Sequence, residues 1–212
     1  MKQRILVASG NAKKLAELRS LCQDLPVEIL GPEALPQGLP EVEEDGDTFL
    51  ANAGKKAFAF AEAAQAQLGE DVWALADDSG LVVDALDGAP GVYSARFAGV
   101  EGPERDAANI AHLLHALGDA PEEQRGAAFV CLIAVAHGEE LLFAVEGRVE
   151  GSILEAPDGD GGFGYDPVFF HPGSGRSFAR LSPAEKAAVS HRGEAVAKLR
   201  HVLETVLPQT QR

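Results

Sequence analysis

Cations and cysteines are both scarce in this sequence, and each scarcity closes off a class of function. Against 33 acidic residues stand 18 lysines and arginines, a formal net charge of −15. Such a surface repels polyanions, which argues against nucleic acid or an anionic membrane as a partner. An acidic chain that binds phosphate all the same needs a few concentrated cations and a metal ion. The two cysteines, Cys22 and Cys131, lie within apolar patterns and far apart. They make no zinc-type spacing and read as small core residues of a reducing compartment. Long hydrophobic runs are missing as well: none approaches membrane-spanning length. Met1-Lys2-Gln3-Arg4-Ile5 lacks the apolar core of a signal peptide, so the expectation is a cytoplasmic protein with no membrane partner. What is present is ordinary: 46% hydrophobic and 24% charged residues over 212 positions, enough for one globular domain with a sizeable core.

The first chemistry-bearing stretch follows a short apolar run, Arg4 to Ala8, that reads as a buried strand. Ser9-Gly10-Asn11-Ala12-Lys13-Lys14 comes next, and then a helix with Leu15, Leu18, Leu21, Cys22 and Leu25 on one face. Strand, glycine turn and helix start together make a local anion site, with free backbone N–H groups and the positive end of the helix dipole. Ser9 and Asn11 supply further donors and Lys14 a charge. The spacing is not that of a Walker A loop. An ordinary turn capped by Asn11, with Lys14 in solvent, explains the residues equally well. Val27 to Leu30 reads as a second strand. After three spaced prolines come five acids within seven residues, Glu41 to Asp47. They are either a solvated approach to a helix capped by Asp47 or Thr48, or a source of metal-binding carboxylate. Phe49 to Leu68 is alanine-rich and strongly helical. Within it Asn52 and Lys56 are four apart and share a face.

Val72 to Ala76 has the length and flanking turn signals of a buried strand, and ends in Asp77-Asp78-Ser79-Gly80. A second apolar run, Leu81 to Leu86, is expected to leave in a new direction. That places the two carboxylates and Ser79 at the carboxyl end of a strand, where open α/β sheets put ligands. Adjacent like charges there call for relief by a hard cation such as Mg²⁺, or else belong to a solvated turn. Arg96, in the following loop, suits either a phosphate or backbone carbonyls. Pro103 to Leu117 reads as a helix on which His112 and His115 face solvent. Ala127 to Ala136 and Glu140 to Val149 form a hairpin about Gly138, which adds antiparallel strands and makes the sheet mixed.

Asp158 to Phe170 alternates glycine with aromatic and acidic residues. The glycines allow close approach and positive φ. They frame Phe163 and Tyr165, two rings able to stack on a flat ligand, around Gly164. Asp166 beside Pro167 is a fixed acceptor for a ring N–H. The plain alternative is a glycine loop whose aromatics are core. Ser182-Pro183 starts a helix that stops near Ser190, and a last helix runs from about Gly193 to Val206. Lys186, His191 and Arg192 either point from that joint toward a ligand or line a solvated corner.

Five of these pieces occur in one order: Ser9 to Lys14, Glu43-Glu44-Asp45-Gly46 with Thr48-Phe49, Asp77 to Leu81, Gly162 to Asp166, and Ser190-His191-Arg192-Gly193. In that order they resemble the Ham1/inosine triphosphatase family over nearly the whole chain. The resemblance implies one α/β domain, an elongated mixed β-sheet with flanking helices forming two lobes about a central cleft, and a homodimer. It implies Mg²⁺-dependent hydrolysis of the non-canonical purine triphosphates ITP, dITP and XTP to monophosphate and pyrophosphate. Carried over by position, Asp78 is the general base and a metal ligand. Glu44 is the second metal carboxylate, with Glu43 its rival. Ser9, Asn11 and Lys14 hold the triphosphate, with Lys56 nearby and Ser79 beside the base. Phe163 and Tyr165 flank the purine across Gly164, Asp166 contacts it, and Lys186, His191 and Arg192 select a 6-oxo group. A related Maf-type enzyme and a catalytically silent nucleotide-binding module are the competing readings. The tail Leu207 to Arg212 matches no motif and is expected to fray.

Overall fold

The structure is a computed structural model that describes residues 2–8 and 12–207, side chains included except at 12–14, 17 and 21. Seven strands form one sheet in the order β2-β1-β3-β4-β5-β6-β7. They are β1 (Gln3–Val7), β2 (Val27–Leu30), β3 (Val72–Val83), β4 (Gly126–His137), β5 (Glu140–Ile153), β6 (Phe169–His171) and β7 (Arg176–Ser177). β1 runs parallel to β2 and β3, whereas β5, β6 and β7 pair antiparallel, so the sheet is mixed. The helices are α1 (Ala12–Leu21), α2 (Phe49–Leu68), α3 (Arg105–Leu117), α4 (Pro183–Val189) and α5 (His191–Val206). None of the described helices is long and apolar enough to cross a membrane.

The chain divides into two compact units, with boundaries inside β3, β4, β5 and α5. The first comprises Met1–Asp78, Leu132–Glu146 and Ala195–Arg212, and the second Ser79–Cys131 and Gly147–Glu194. In the first unit, Thr48 caps α2 by accepting the Ala51 N–H at 3.1 Å, the alternative to Asp47 that the sequence left open. Alanines 53, 57, 61 and 64 of α2 are fully buried at helical spacing. Small side chains there let the helix lie close against Leu6, against Val72, Ala74 and Ala76 of β3, and against Leu132, Ala134 and Ala136 of β4. The intervening residues Ile5, Val7, Leu75, Ile133 and Val135 are buried too, so both faces of this part of the sheet are covered. At the C-terminus Leu207 is buried and its N–H bonds to Leu203 O; residues 208–212 lie outside the described set.

The core of the second unit is built on Leu81 and Val83 of β3, Ile110, Leu113 and Leu117 of α3, and a phenylalanine trio. Phe129 lies 4.6 Å from Phe169 and 5.8 Å from Phe178, the latter pair parallel to within 2°. Arg125 is buried and structural: its guanidinium donates to the carbonyls of Ile153 (2.7 Å), Leu154 (3.1 Å) and Ala120 (3.3 Å). Backbone carbonyls thus satisfy a desolvated cation.

Three sequence expectations are corrected. Asp77 to Gly80 do not end a strand; β3 runs through them without a break. Pairing with β1 stops at Val7 opposite Leu75, with the Ala8 N–H bonded to Leu75 O, so the acids begin where the neighbouring strand ends and β3 itself continues. His191 and Arg192 do not sit in a joint before a helix starting near Gly193, because α5 begins at His191. Ser190 alone makes the turn, and its side chain accepts the Gly193 N–H at 3.1 Å. β5 also extends four residues past Val149, through Ile153, where the sequence turns polar but the strand gains β6 as a partner.

Candidate active site

The alternation of β3 decides which acid faces which helix. Val72, Ala74 and Ala76 point at α2, so Asp78 continues the same face, while Asp77 and Ser79 fall on the other. α2 meets Asp78 with the two polar side chains that share a turn. Asn52 Nδ2 donates to Asp78 Oδ2 at 3.1 Å, and Lys56 Nζ lies 3.8 Å from Asp78 Oδ1. The loop preceding α2 closes the group: Glu44 Oε2 is 2.9 Å from Lys56 Nζ. Glu43, its sequence rival, is exposed. Asn52 is 1% exposed and ties the two acidic segments together, since its Oδ1 also accepts the Gly46 N–H at 2.8 Å. A Cβ on Gly46 would come within 2.7 Å of that oxygen, so the clamp requires glycine.

Among the described residues the cluster comprises two carboxylates and one ammonium. Its donor oxygens are hard, and a divalent ion of the Mg²⁺ kind commonly takes one or two carboxylates while keeping water and substrate phosphate in its other positions. Among the described residues no group of three or more His, Cys, Asp or Glu forms a fuller metal cage. The residues present therefore fit a hydrated Mg²⁺. Ser9 and Asn11 lie outside the described residues, as does the side chain of Lys14 in α1.

In the second unit, Asp166 is the centre of a separate group. It is 2% exposed, accepts the Phe163 N–H at 2.8 Å, and forms an ion pair with Lys186. The Lys186 ammonium also sits 4.4 Å from the centre of the Phe163 ring. That ring is 62% exposed, an unusual position for a large aromatic beside a buried carboxylate and its lysine partner. Gly162 makes the arrangement possible: its φ is +76°, and a Cβ would lie 2.1 Å from Asp166 Oδ2. Lys186 is aimed by the start of α4, where Ser182 and Glu185 form a reciprocal capping box. The Ser182 N–H on its carboxylate, helped by Arg176, holds Glu185 down at about 2.

Tyr165 differs from expectation. Its ring is core, 4% exposed, and its hydroxyl donates to Ser94 O at 2.9 Å. Burial, and then the charge of Asp106, push the phenol well above its usual range, so it stays a donor. Of the two rings expected to stack, only Phe163 presents a face. His191 is 6% exposed and lies parallel to Phe129, 4.9 Å away and 13° from coplanar; Arg192, next to it, is half-buried. Gly193 permits that start to α5, because a Cβ would be 2.1 Å from Ala187 O. Arg96 is exposed and rests 5.1 Å over the Tyr93 ring. The sequence reading singled out neither Asp106 nor Asn109. Asn109 is nevertheless 3% exposed on the apolar stripe of α3, a polar residue at a core position, and that was the available signal.

The mixed α/β fold is that of solved Ham1 proteins. A Ham1 protein from Coxiella burnetii superposes with a TM-score of 0.86 at 40% identity, covering 97% of this chain and 100% of that one. The model of the Ham1 family matches residues 5–202, and the chain belongs to that family. It is 45% identical to a dITP/XTP pyrophosphatase of Anaeromyxobacter sp. (strain Fw109-5), over 94% of this chain and 96% of the relative. It is also similar to the solved nucleoside-triphosphatase/dITP/XTP pyrophosphatase of Mycobacterium abscessus, with 48% identity, a TM-score of 0.74, and coverage of 92% and 98%.

Proposed function

We propose that this chain is a Mg²⁺-dependent pyrophosphatase of non-canonical purine nucleoside triphosphates, cleaving dITP, ITP and XTP to monophosphate and pyrophosphate. The observation that carries the proposal is the convergence of Lys56 and Asn52 on Asp78, with Glu44 paired to the same lysine, in a chain of this family. Glu44 and Asp78 would hold Mg²⁺, which supplies charge neutralisation to the phosphate oxygens. Asn52 fixes Asp78 through Oδ2, and the Asp78 carboxylate is assigned to take the proton of the attacking water. As that proton moves to Asp78, the water oxygen bonds to the α-phosphorus and the bond to the bridging oxygen breaks, releasing pyrophosphate. Lys56 faces the charge that builds up during attack. Ser9, Asn11 and Lys14 are assigned to the triphosphate, and Ser79 a place beside the base, on the sequence and the family resemblance.

Phe163 is assigned the purine face, and buried Asp166 the ring N–H that 6-oxopurines carry at position 1. Gly164 and Tyr165 shape that loop. Lys186, His191 and Arg192 supply donors that pair with a 6-oxo group and are left unpaired by the 6-amino group of adenine. Each such mismatch costs about 1–3 kcal/mol. Pyrophosphate release from XTP, ITP, dITP, GTP and ATP, with Mg²⁺ and with EDTA, tests the reading. The expected result is pyrophosphate from XTP and ITP with Mg²⁺ only. No pyrophosphate from either would sink the proposal, and orthophosphate instead would mean attack at the γ-phosphate. The homodimer implied by the resemblance should sediment at about twice the 22.2 kDa chain mass, and a monomer at micromolar concentration would refute it.

A further inference from the structure

Phe163 and Asp166 are separated by two residues whose polar groups are held by other segments. Between them lie Gly164 and Tyr165, and each is tied to a distant part of the second unit. The Gly164 N–H donates to Asp106 Oδ2 at 2.7 Å, across 58 residues of chain. The Tyr165 hydroxyl donates to Ser94 O at 2.9 Å, across 71. Ser94 is itself fixed: its Oγ accepts the Leu81 N–H at 2.9 Å and donates to Gly91 O at 2.6 Å. Asn109, one turn of α3 after Asp106, donates to Ser94 O and Ala95 O at 3.3 Å each and accepts the Ala98 N–H at 2.8 Å. One helix thus anchors the middle of the loop directly through Asp106 and indirectly through Asn109 and Ser94.

We propose that Asp106 is a positioning residue for the purine-facing pair, acting through the Gly164 N–H to hold Phe163 and Asp166 in register. The proposal rests on the function assigned to that loop above. Gly164 has φ +60°, and nothing lies within 4 Å of where its Cβ would be, so no neighbouring side chain packs over it. The turn is closed within itself by the Asp166 N–H to Phe163 O at 3.3 Å, and the charge-assisted bond from Gly164 to Asp106 is what ties that flexible glycine peptide to α3. Asp106 lies in the first turn of α3, where an acid also complements the helix dipole, and its Oδ1 accepts from Arg105 Nε at 3.2 Å. Those two roles need the charge; the tether needs only an acceptor oxygen.

Asp106→Asn keeps an acceptor and removes the charge, whereas Asp106→Ala removes both. In steady-state pyrophosphate release, Asp106→Ala should raise KM for XTP about tenfold with kcat within about twofold, and Asp106→Asn should hold KM within about threefold. Hydrogen exchange at the Gly164 amide, read by NMR without substrate, should quicken in Asp106→Ala and not in Asp106→Asn. An unchanged KM in Asp106→Ala overturns the proposal, as does an equal KM rise in both variants, which would mark a charge effect. Unchanged Gly164 exchange in Asp106→Ala also overturns it. If the wild type releases no pyrophosphate from XTP or ITP, the assigned function fails, and the exchange measurement alone decides whether Asp106 holds the loop.

Discussion

Asp78→Asn should lower kcat for XTP by about a thousandfold, the range expected when a general base is removed, and leave KM within about threefold. The two side chains are nearly the same shape, and an asparagine oxygen still accepts from Asn52 Nδ2, now 3.1 Å from Asp78 Oδ2. What the variant loses is the ability to take a proton and one of the two negative charges beside Lys56. A rate within about tenfold of wild type would remove Asp78 as the base. Equilibrium titration with the same nucleotide separates the outcomes, because binding that disappears with the rate would assign Asp78 to ligand capture only. Thermal unfolding of the variant serves as the control, since Asn52 has to keep clamping Gly46 for the acidic loop to stay in place.

Gly162→Ala should lower kcat/KM for XTP by about a hundredfold, the scale of loss when a positioning shift of about 1 Å reaches a binding group. Two costs act at this residue. A Cβ at φ +76° is strained by about 1–2 kcal/mol. It would also lie 2.1 Å from Asp166 Oδ2, the oxygen that holds the Phe163 N–H and pairs with Lys186. Either the carboxylate turns away and leaves the half-buried Lys186 ammonium without it, or the loop shifts and takes the Phe163 ring with it. Gly164→Ala is the matched comparison: similar strain at φ +60°, but open space for the methyl group. Activity in Gly162→Ala no lower than in Gly164→Ala would show that the carboxylate contact has no functional weight. The readouts are steady-state kinetics with XTP and ITP, beside the melting temperature of each variant.

Much of the fold was legible because its signals are local. The alanine run from Phe49 to Leu68 is the helix observed, to the residue, and Val27–Leu30 is the strand. Ser182-Pro183-Ala184-Glu185 spells a capping box, and the structure makes both of its hydrogen bonds. Tyr165 was misread because the sequence gives a ring no direction. Gly164 and Tyr165 lie between Phe163 and Asp166, and only the bonds to Asp106 and Ser94 show where the Gly164 N–H and the Tyr165 hydroxyl are held. Asp77 to Gly80 misled for a related reason. Acids, a serine and a glycine are turn residues wherever water reaches the backbone, yet here β3 runs straight through them.

The sequence by itself determined most of the helices and long strands in their order, the acidic character that argues against polyanion binding through bulk charge, and the pool of polar residues able to meet a metal and a nucleotide. Periodicity, capping and turn chemistry act over a few residues and are written in the chain directly. Only the tertiary structure decided which members of that pool meet. It brought Glu44, not Glu43, to Lys56, and Asp78, not Asp77, to Asn52. The physical reason is parity: in a strand, neighbouring side chains point to opposite faces, so which aspartate meets α2 depends on the register of β3 beneath that helix. That register is set by the packing of Val72, Ala74 and Ala76 against the alanine face of α2, a contact between segments that no local pattern encodes.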